Sequence, residues 1–519
     1  MSASTEKKNR QAAREAGTDK KMLAAQEAAR KQAQSKRRWT IGSILVALLI
    51  VAILFLNSGF LYRGTTALTV GERKYSPAEV NYRYANEYLS FANQYGSYAS
   101  VFGLDTSTGL AGLADQSCPM RENGSWKDYF LDSASIALME TTALTDYAAA
   151  NGITLDEEEI AQVDAGFSGI EDYAKALGYA NPNAMLAANY GNGVTQKLAR
   201  QAQLDSTLAT KAYNQILDSF SYSAEELESY YQSLEGSSDQ FSFLSCYVPA
   251  ETVESESEDG EVTAAEPTAE AVAEAKATAE AVAAAYRDGE ESDPAERFRA
   301  AAVSLLGDDA VSDRLLAGSA LPEFYADWLM DAARKAGDIT VSEDPDGDAF
   351  HVVLFLERSD NHYPLAQVRH ILIKAEADAD GAYSDEAKAA AKARAEEILA
   401  EWEAGDRTEE SFAALAELYS GDAGSNTNGG LYDAVAKGQM VPEFDAFCFG
   451  GHKHGDTAIV YGESSGYAGY HVMYYVGEGE LYSDSLARSE LKSADMNDFL
   501  AELESGYETV PGPFYRLVG

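Results

Sequence analysis

The chain has 519 residues, 46% of them hydrophobic, and a formal net charge of −44. That length is too great for one core and divides into about three or four units. The acidity excludes nucleic acid as a partner, because its phosphates would be repelled, and three scattered cysteines (Cys118, Cys246, Cys448) exclude a disulfide scaffold.

Residues 1–38 hold eleven Lys/Arg against four acids, a basic tail expected on the cytoplasmic side. The next stretch, WTIGSILVALLIVAILFLNSGFLY (39–62), has no charged side chain. As a helix it reaches roughly 36 Å, enough for a hydrocarbon core of about 30 Å. Trp39, Phe60 and Tyr62 stand at its ends, and Arg37 and Arg38 flank its start. The pattern predicts an uncleaved transmembrane helix over 39–62. The protein is then a single-pass cell-membrane protein with a cytoplasmic N-terminus, its bulk outside the cytoplasm and the lipid bilayer as a partner. A cleaved signal peptide is the alternative, but the leader is long and no A-x-A site follows.

A short strand at TALTV (66–70), a turn at GERK and an N-cap at Ser76 before Pro77 come next. Helices are predicted over 126–150, 155–177 (from a capping box Thr154-x-x-Glu157), 181–220 and 223–234. The region 66–236 therefore reads as a helical domain without a catalytic constellation. Its Tyr82, Tyr84, Tyr88 and Phe91 recur on one helix side, as core residues do.

The remainder is written twice. Apolar strands SFLSCYVP (242–249) and QVRHILIK (367–374) precede Ala/Glu-rich helices at 268–286 and 384–404. RFRAAAVSLLGDD (297–309) matches SFAALAELYSGDA (411–423), LPEF (321–324) matches VPEF (441–444), and FHVVLFL (350–356) matches YHVMYYV (470–476). The insertion at 250–268 has seven acids and no base and reads as a solvated loop. Two tandem domains, 238–360 and 363–478, explain the doubling. The tail 480–519 reads as a helix and a short strand.

The later copy, through VRHILIK, SFAALAELYSGDAGSNTNGG, GQMVPEFDAF and GYHVMYYV, resembles the parvulin-type peptidyl-prolyl cis–trans isomerase (rotamase) domain. The region 66–236 resembles, more weakly, the chaperone domain of extracytoplasmic foldases of the PrsA and SurA kind, through TVGERKYSPAEV and YSAEELESYYQ. The fold class implied is α+β: a transmembrane helix, a helical chaperone-like domain and two tandem parvulin-like α/β domains, the first degenerate. By analogy with such foldases, the tail would fold back on the helical domain.

The resemblance implies isomerisation of X-Pro bonds in unfolded or partly folded secreted polypeptides, with chaperone activity and no cofactor or metal. Carried over residue by residue, the polar network is His370, Asp422 and His471, and the proline slot is Leu431, Met440, Phe444 and Phe449. No bond breaks in such a reaction. What must fall is a rotational barrier of about 18–20 kcal/mol, and an apolar slot beside a dry polar floor suits that task. Tyr432 departs from the family, standing where a Gly is common. In the earlier copy Ser245 stands near the place of His370, while His351 and Asp308 persist, so a spacer or peptide-binding role without efficient turnover is expected. A metal reading of Cys448, His452 and His454 lacks a second ligand pair. The alternative function is a non-catalytic holdase or assembly scaffold.

Overall fold

The computed structural model describes residues 3–17, 20–57, 59–252, 254–256, 262–264, 266–379, 381–464 and 466–519, leaving aside the side chains of 20–21, 51–57, 254–256 and 262–264. It divides into two compact units, Met1–Phe220 with Ala494–Gly519, and Ser221–Ser493.

The expected membrane anchor is corrected. A helix runs Lys20–Asn57, but no helix among the described residues is long and apolar enough to cross a membrane. Its apolar residues with described side chains, 39–50, reach only roughly 18 Å, short of a core of about 30 Å, and 51–58 of the expected span lie outside the described side chains. A single-pass topology with a cytoplasmic tail over 1–38 is therefore unsupported, as is the outward-facing bulk.

In the first unit, Leu68–Val70 is the centre of a three-stranded antiparallel sheet between Arg73–Tyr75 and the tail strand Thr509–Pro511. Helix Pro77–Tyr95 starts at a capping box of Ser76 and Glu79, and Trp126–Ala150 at one of Ser125 and Asp128. Between them lies an aromatic core in which Trp126 and Phe130 stack at 5.6 Å and are almost fully buried. Burial of each such ring contributes about 1.5–3 kcal/mol.

The expected helix 155–177 is two pieces, Glu157–Gly166 and Ile170–Ala176. Its cap is Asp156, which accepts from Glu158 and Glu159 amides, rather than Thr154. The expected helix 181–220 likewise breaks into Pro182–Tyr190 and Gln196–Ser219. The tail helix Tyr482–Glu504 brings Met496 against Leu144, Ala209 and Ile216.

The second unit begins with helix Ala224–Ser233, whose Leu227 and Tyr231 pack on Ala487 rather than joining the helical region as expected. Two sheets with the same strand order follow. In the earlier copy the order is Val311–Ala317, Gln240–Pro249, Ala349–Ser359, Ile339–Glu343. In the later copy it is Leu431–Val435, Pro364–Lys374, Tyr467–Leu481, Thr457–Ser464. Every pairing is antiparallel, so each copy is α+β rather than a true α/β unit.

The long helices Ala269–Asp288 and Asp385–Ala404 cover one sheet face, and the short helices Glu323–Met330 and Pro442–Cys448 the other. The sequence reading lacked the edge strand Val311–Ala317. In the insertion, Glu254–Glu256 pairs with Val262–Ala264 as a ribbon, and the residues between them lie outside the described residues.

The two copies meet at Asn361, which is fully buried and left-handed at φ 58°. Its amide donates to Tyr231 Oη (3.0 Å) and the Ser238 carbonyl (2.7 Å), and its carbonyl accepts from the Ser483 amide (3.0 Å). Asn tolerates this backbone region better than other non-glycine residues.

Candidate active site

Along the central strand of the later copy, side chains alternate between faces. Arg369 and Ile371 turn to the face covered by helices Asp385–Ala404 and Glu409–Tyr419, Arg369 pairing with Glu409 at 2.9 Å. Val368 and His370 turn to the short helix, where Phe444 lies edge-on to the His370 ring at 5.3 Å. The neighbouring strand sets His471 opposite Leu372, two positions beyond His370. The two imidazoles thus stack with centroids 5.1 Å apart and Nδ1 atoms at 3.0 Å. Both are buried, at 3% and 4% exposure.

Asp422 arrives from the loop after helix Glu409–Tyr419. That loop is pinned to the central strand, the Gly421 amide donating to the Leu372 carbonyl and the Leu372 amide to Ser420 Oγ. Gly430, at φ 73°, closes it, and a Cβ there would lie 2.2 Å from the His370 carbonyl oxygen. Only glycine meets both demands.

Asp422 Oδ2 accepts from His370 Nε2 (2.9 Å), Ser425 Oγ (2.6 Å) and Tyr432 Oη (3.0 Å). Its Oδ1 accepts from the Gly424 amide at 3.2 Å. The bond from His370, with those from Ser425 and Gly424, holds the carboxyl well below the usual carboxylate range, against the opposing cost of burial.

An ionised carboxylate only accepts, so His370 Nε2 carries the proton facing it. Beyond it, His370 Nδ1 lies 3.0 Å from His471 Nδ1, and His471 Nε2 lies 3.0 Å from Tyr467 Oη, the donor at each step being set by the imidazole tautomers. Burial, then the neighbouring His370, lowers the His471 pKa to about 3. The bonding from Tyr467 to Asp422 is therefore continuous.

Phe444 covers this floor, edge-on to His471 as well at 5.3 Å. Met440 packs on the same cluster. Phe449 lies at its margin, edge-on to Tyr363 at 5.7 Å and under the Lys437 ammonium, without a ring contact to either imidazole. Leu431 pairs with Arg369 and so faces the long helices. Tyr432, one residue on, pairs with Val368 and stands 5.2 Å from the His370 ring. The structure thus brings together His370, Asp422, His471, Met440 and Phe444, leaves Phe449 at the margin, and sets Leu431 on the opposite face.

Sequence reasoning missed Ser425, the inward role of Tyr432, and Tyr467. Tyr467 had a signal, since positions four apart on a strand share a face. Gly462 was missed too: a Cβ there would lie 2.7 Å from His471 Nε2 and 3.0 Å from Tyr467 Oη, so its bareness leaves room over the imidazole.

Cys448 is buried, its thiol pushed up to about 12 by desolvation. His452 stacks on Phe447 at 4.2 Å, and His454 Nδ1 bonds the Val476 carbonyl at 2.8 Å. Among the described residues no group of His, Cys, Asp and Glu could hold a metal.

The earlier copy is built on the same register. His351 opposes Tyr247, two beyond Ser245, as His471 opposes Leu372, two beyond His370. Here, however, the imidazole is half-buried among Tyr247 and Phe324, each 5.0 Å away. Asp308 is exposed and makes no hydrogen bond or ion pair among the described residues.

Residues 351–474 match the family model described as the PPIC-type PPIASE domain. The chain therefore carries a parvulin-type peptidyl-prolyl isomerase domain. It is 35% identical over 130 residues to Chaperone SurA of Alkalilimnicola ehrlichii, covering 24% of this chain and 27% of that one. It is also 35% identical over 128 residues to Chaperone SurA of Hahella chejuensis, covering 24% and 26%. The matches span about a quarter of the length of these curated relatives. Among solved structures, PrsA from Bacillus subtilis is 12% identical, with 74% of this chain and 88% of that one covered and a TM-score of 0.29.

Proposed function

We propose that the later copy catalyses cis–trans isomerisation of X-Pro peptide bonds in unfolded or partly folded polypeptides, and that the whole chain works as a foldase with chaperone activity. The observation that carries this reading is the His370–His471 pair fixed on Asp422 beneath Phe444.

Phe444, Met440 and Tyr432 would grip the pyrrolidine ring, methionine adapting to its pucker. The amide beside it then lies over buried imidazoles rather than water. Twisting removes conjugation, so a less polar setting favours the twisted form over the planar one. A hundredfold acceleration needs about 2.7 kcal/mol of the barrier. No nucleophile is required, and the continuous bonding from Tyr467 to Asp422 supports a role in keeping the floor rigid.

The earlier copy binds peptide or acts as a spacer without efficient turnover in this reading, supported by Ser245 at the place of His370 and by the outward Asp308. A protease-coupled assay on a prolyl peptide tests the proposal. Wild-type turnover well above that of Asp422→Ala is expected. Equal rates would overturn it and leave a holdase or scaffold.

A further inference from the structure

The helical unit contains a cavity of about 440 Å³, formed wholly within residues 63–206. Between residues 39 and 220 the chain has ten Lys/Arg against nineteen Asp/Glu. Yet four of those bases, Arg63, Arg73, Arg83 and Lys197, line this one cavity with only two acids, Glu79 and Asp205.

Both acids are already engaged, and Arg83 pairs with Glu87 at 2.7 Å beside the cavity. Glu79 accepts from the Ser76 amide and hydroxyl at 2.7 Å as part of a helix cap. Asp205 pairs with Arg73 and accepts from Gln201 at 2.8 Å. Lys197, by contrast, is exposed and makes no hydrogen bond or ion pair among the described residues. It sits in the first turn of the 24-residue helix Gln196–Ser219, whose N-terminal end also faces the cavity through Thr195 and Leu198. The partial positive charge of that end adds to the ammonium. Tyr82, Leu138 and Ala202 supply apolar wall.

We infer that this cavity binds the carboxylate side chains of an acidic polypeptide segment, with an apolar neighbour of each carboxylate resting on the tyrosine and leucine wall. Beyond the basic residues 1–38, the protein's strong negative charge repels such segments, so within the helical unit the cavity runs against the surrounding field. The inference does not depend on turnover in the isomerase domain.

The test is fluorescence anisotropy of the full chain with a labelled peptide of alternating Glu and Phe, beside its Gln/Phe counterpart. The Glu peptide should bind about tenfold tighter, and between roughly 0.05 and 0.2 M salt that advantage should shrink. Lys197→Glu should weaken the Glu peptide about tenfold and leave the Gln peptide and prolyl turnover unchanged. Adding Arg83→Gln should weaken the Glu peptide further. Lys197 is exposed, and an acid in a first helical turn is favourable, so folding is not at risk. Equal affinity for the two peptides, or wild-type affinity in Lys197→Glu, overturns the inference. Displacement of the Glu peptide by inorganic phosphate at equal concentration also overturns it, in favour of a phosphate site.

Discussion

His471 and His351 stand at equivalent register positions in two sheets of one strand order, and their surroundings differ in every polar respect. His471 meets a second imidazole, a tyrosine hydroxyl and, through His370, a carboxylate. His351 packs among aromatic rings and makes no side-chain hydrogen bond among the described residues. What separates them is the chain after the second helix. In the later copy, eight residues (423–430) between Asp422 and the edge strand turn the carboxylate inward and supply Ser425. In the earlier copy only Asp309 and Ala310 separate Asp308 from Val311, and the acid stays in water. A shared scaffold therefore preserves the histidine while a loop decides whether it belongs to a network.

The sharpest break in this comparison is Phe444→Ala. Phe444 is 2% exposed, so its loss should cost about 3–5 kcal/mol in denaturant unfolding. Phe324→Ala, at the matching but only partly buried position, should cost clearly less. Next comes Asp422→Ala, which removes the acceptor of four hydrogen bonds and should lower prolyl turnover on the order of a hundredfold. Asp308→Ala should leave the rate untouched.

A third test is pH. His471 has a folded pKa of about 3, below the unfolded value near 6.5. Between these values the unfolded chain holds the extra proton, so stability falls as pH drops, by up to about 1.4 kcal/mol per unit. Asp422, also depressed, contributes stability that is present above its unfolded value near 3.9 and is lost at lower pH. Unfolding followed from pH 7 to pH 4 should show the slope, and His471→Asn should flatten it. The smallest effect expected is that of Gly462→Ala: about a tenfold loss of turnover and about 1 kcal/mol in denaturant unfolding, since its methyl group would press on His471, Tyr467 and Val441.

The sequence showed the doubled domain and the residues His370, Asp422 and His471 because each sits in a motif anchored to a regular element. Leu431 was chosen over Tyr432 through a slip of one, and in a strand one residue exchanges the two faces. Only the pairing of Tyr432 with Val368 fixes which side chain turns inward. Ser425 was not legible, because its place depends on how a glycine-bounded loop folds back. The membrane reading failed for a different reason. It took 39–62 as one apolar helix of roughly 36 Å, whereas the helix ends at Asn57 and its described apolar part, 39–50, is too short to cross. The junction at Asn361 was invisible, since its partners Tyr231, Ser238 and Ser483 are remote in sequence.

That junction has a mechanical consequence. With the Asn361 side chain and carbonyl tied to both flanking helices, the four-residue bridge from Asp360 to Tyr363 is not a free swivel. Torque applied to one sheet is passed to the other instead of being lost in a loose tether.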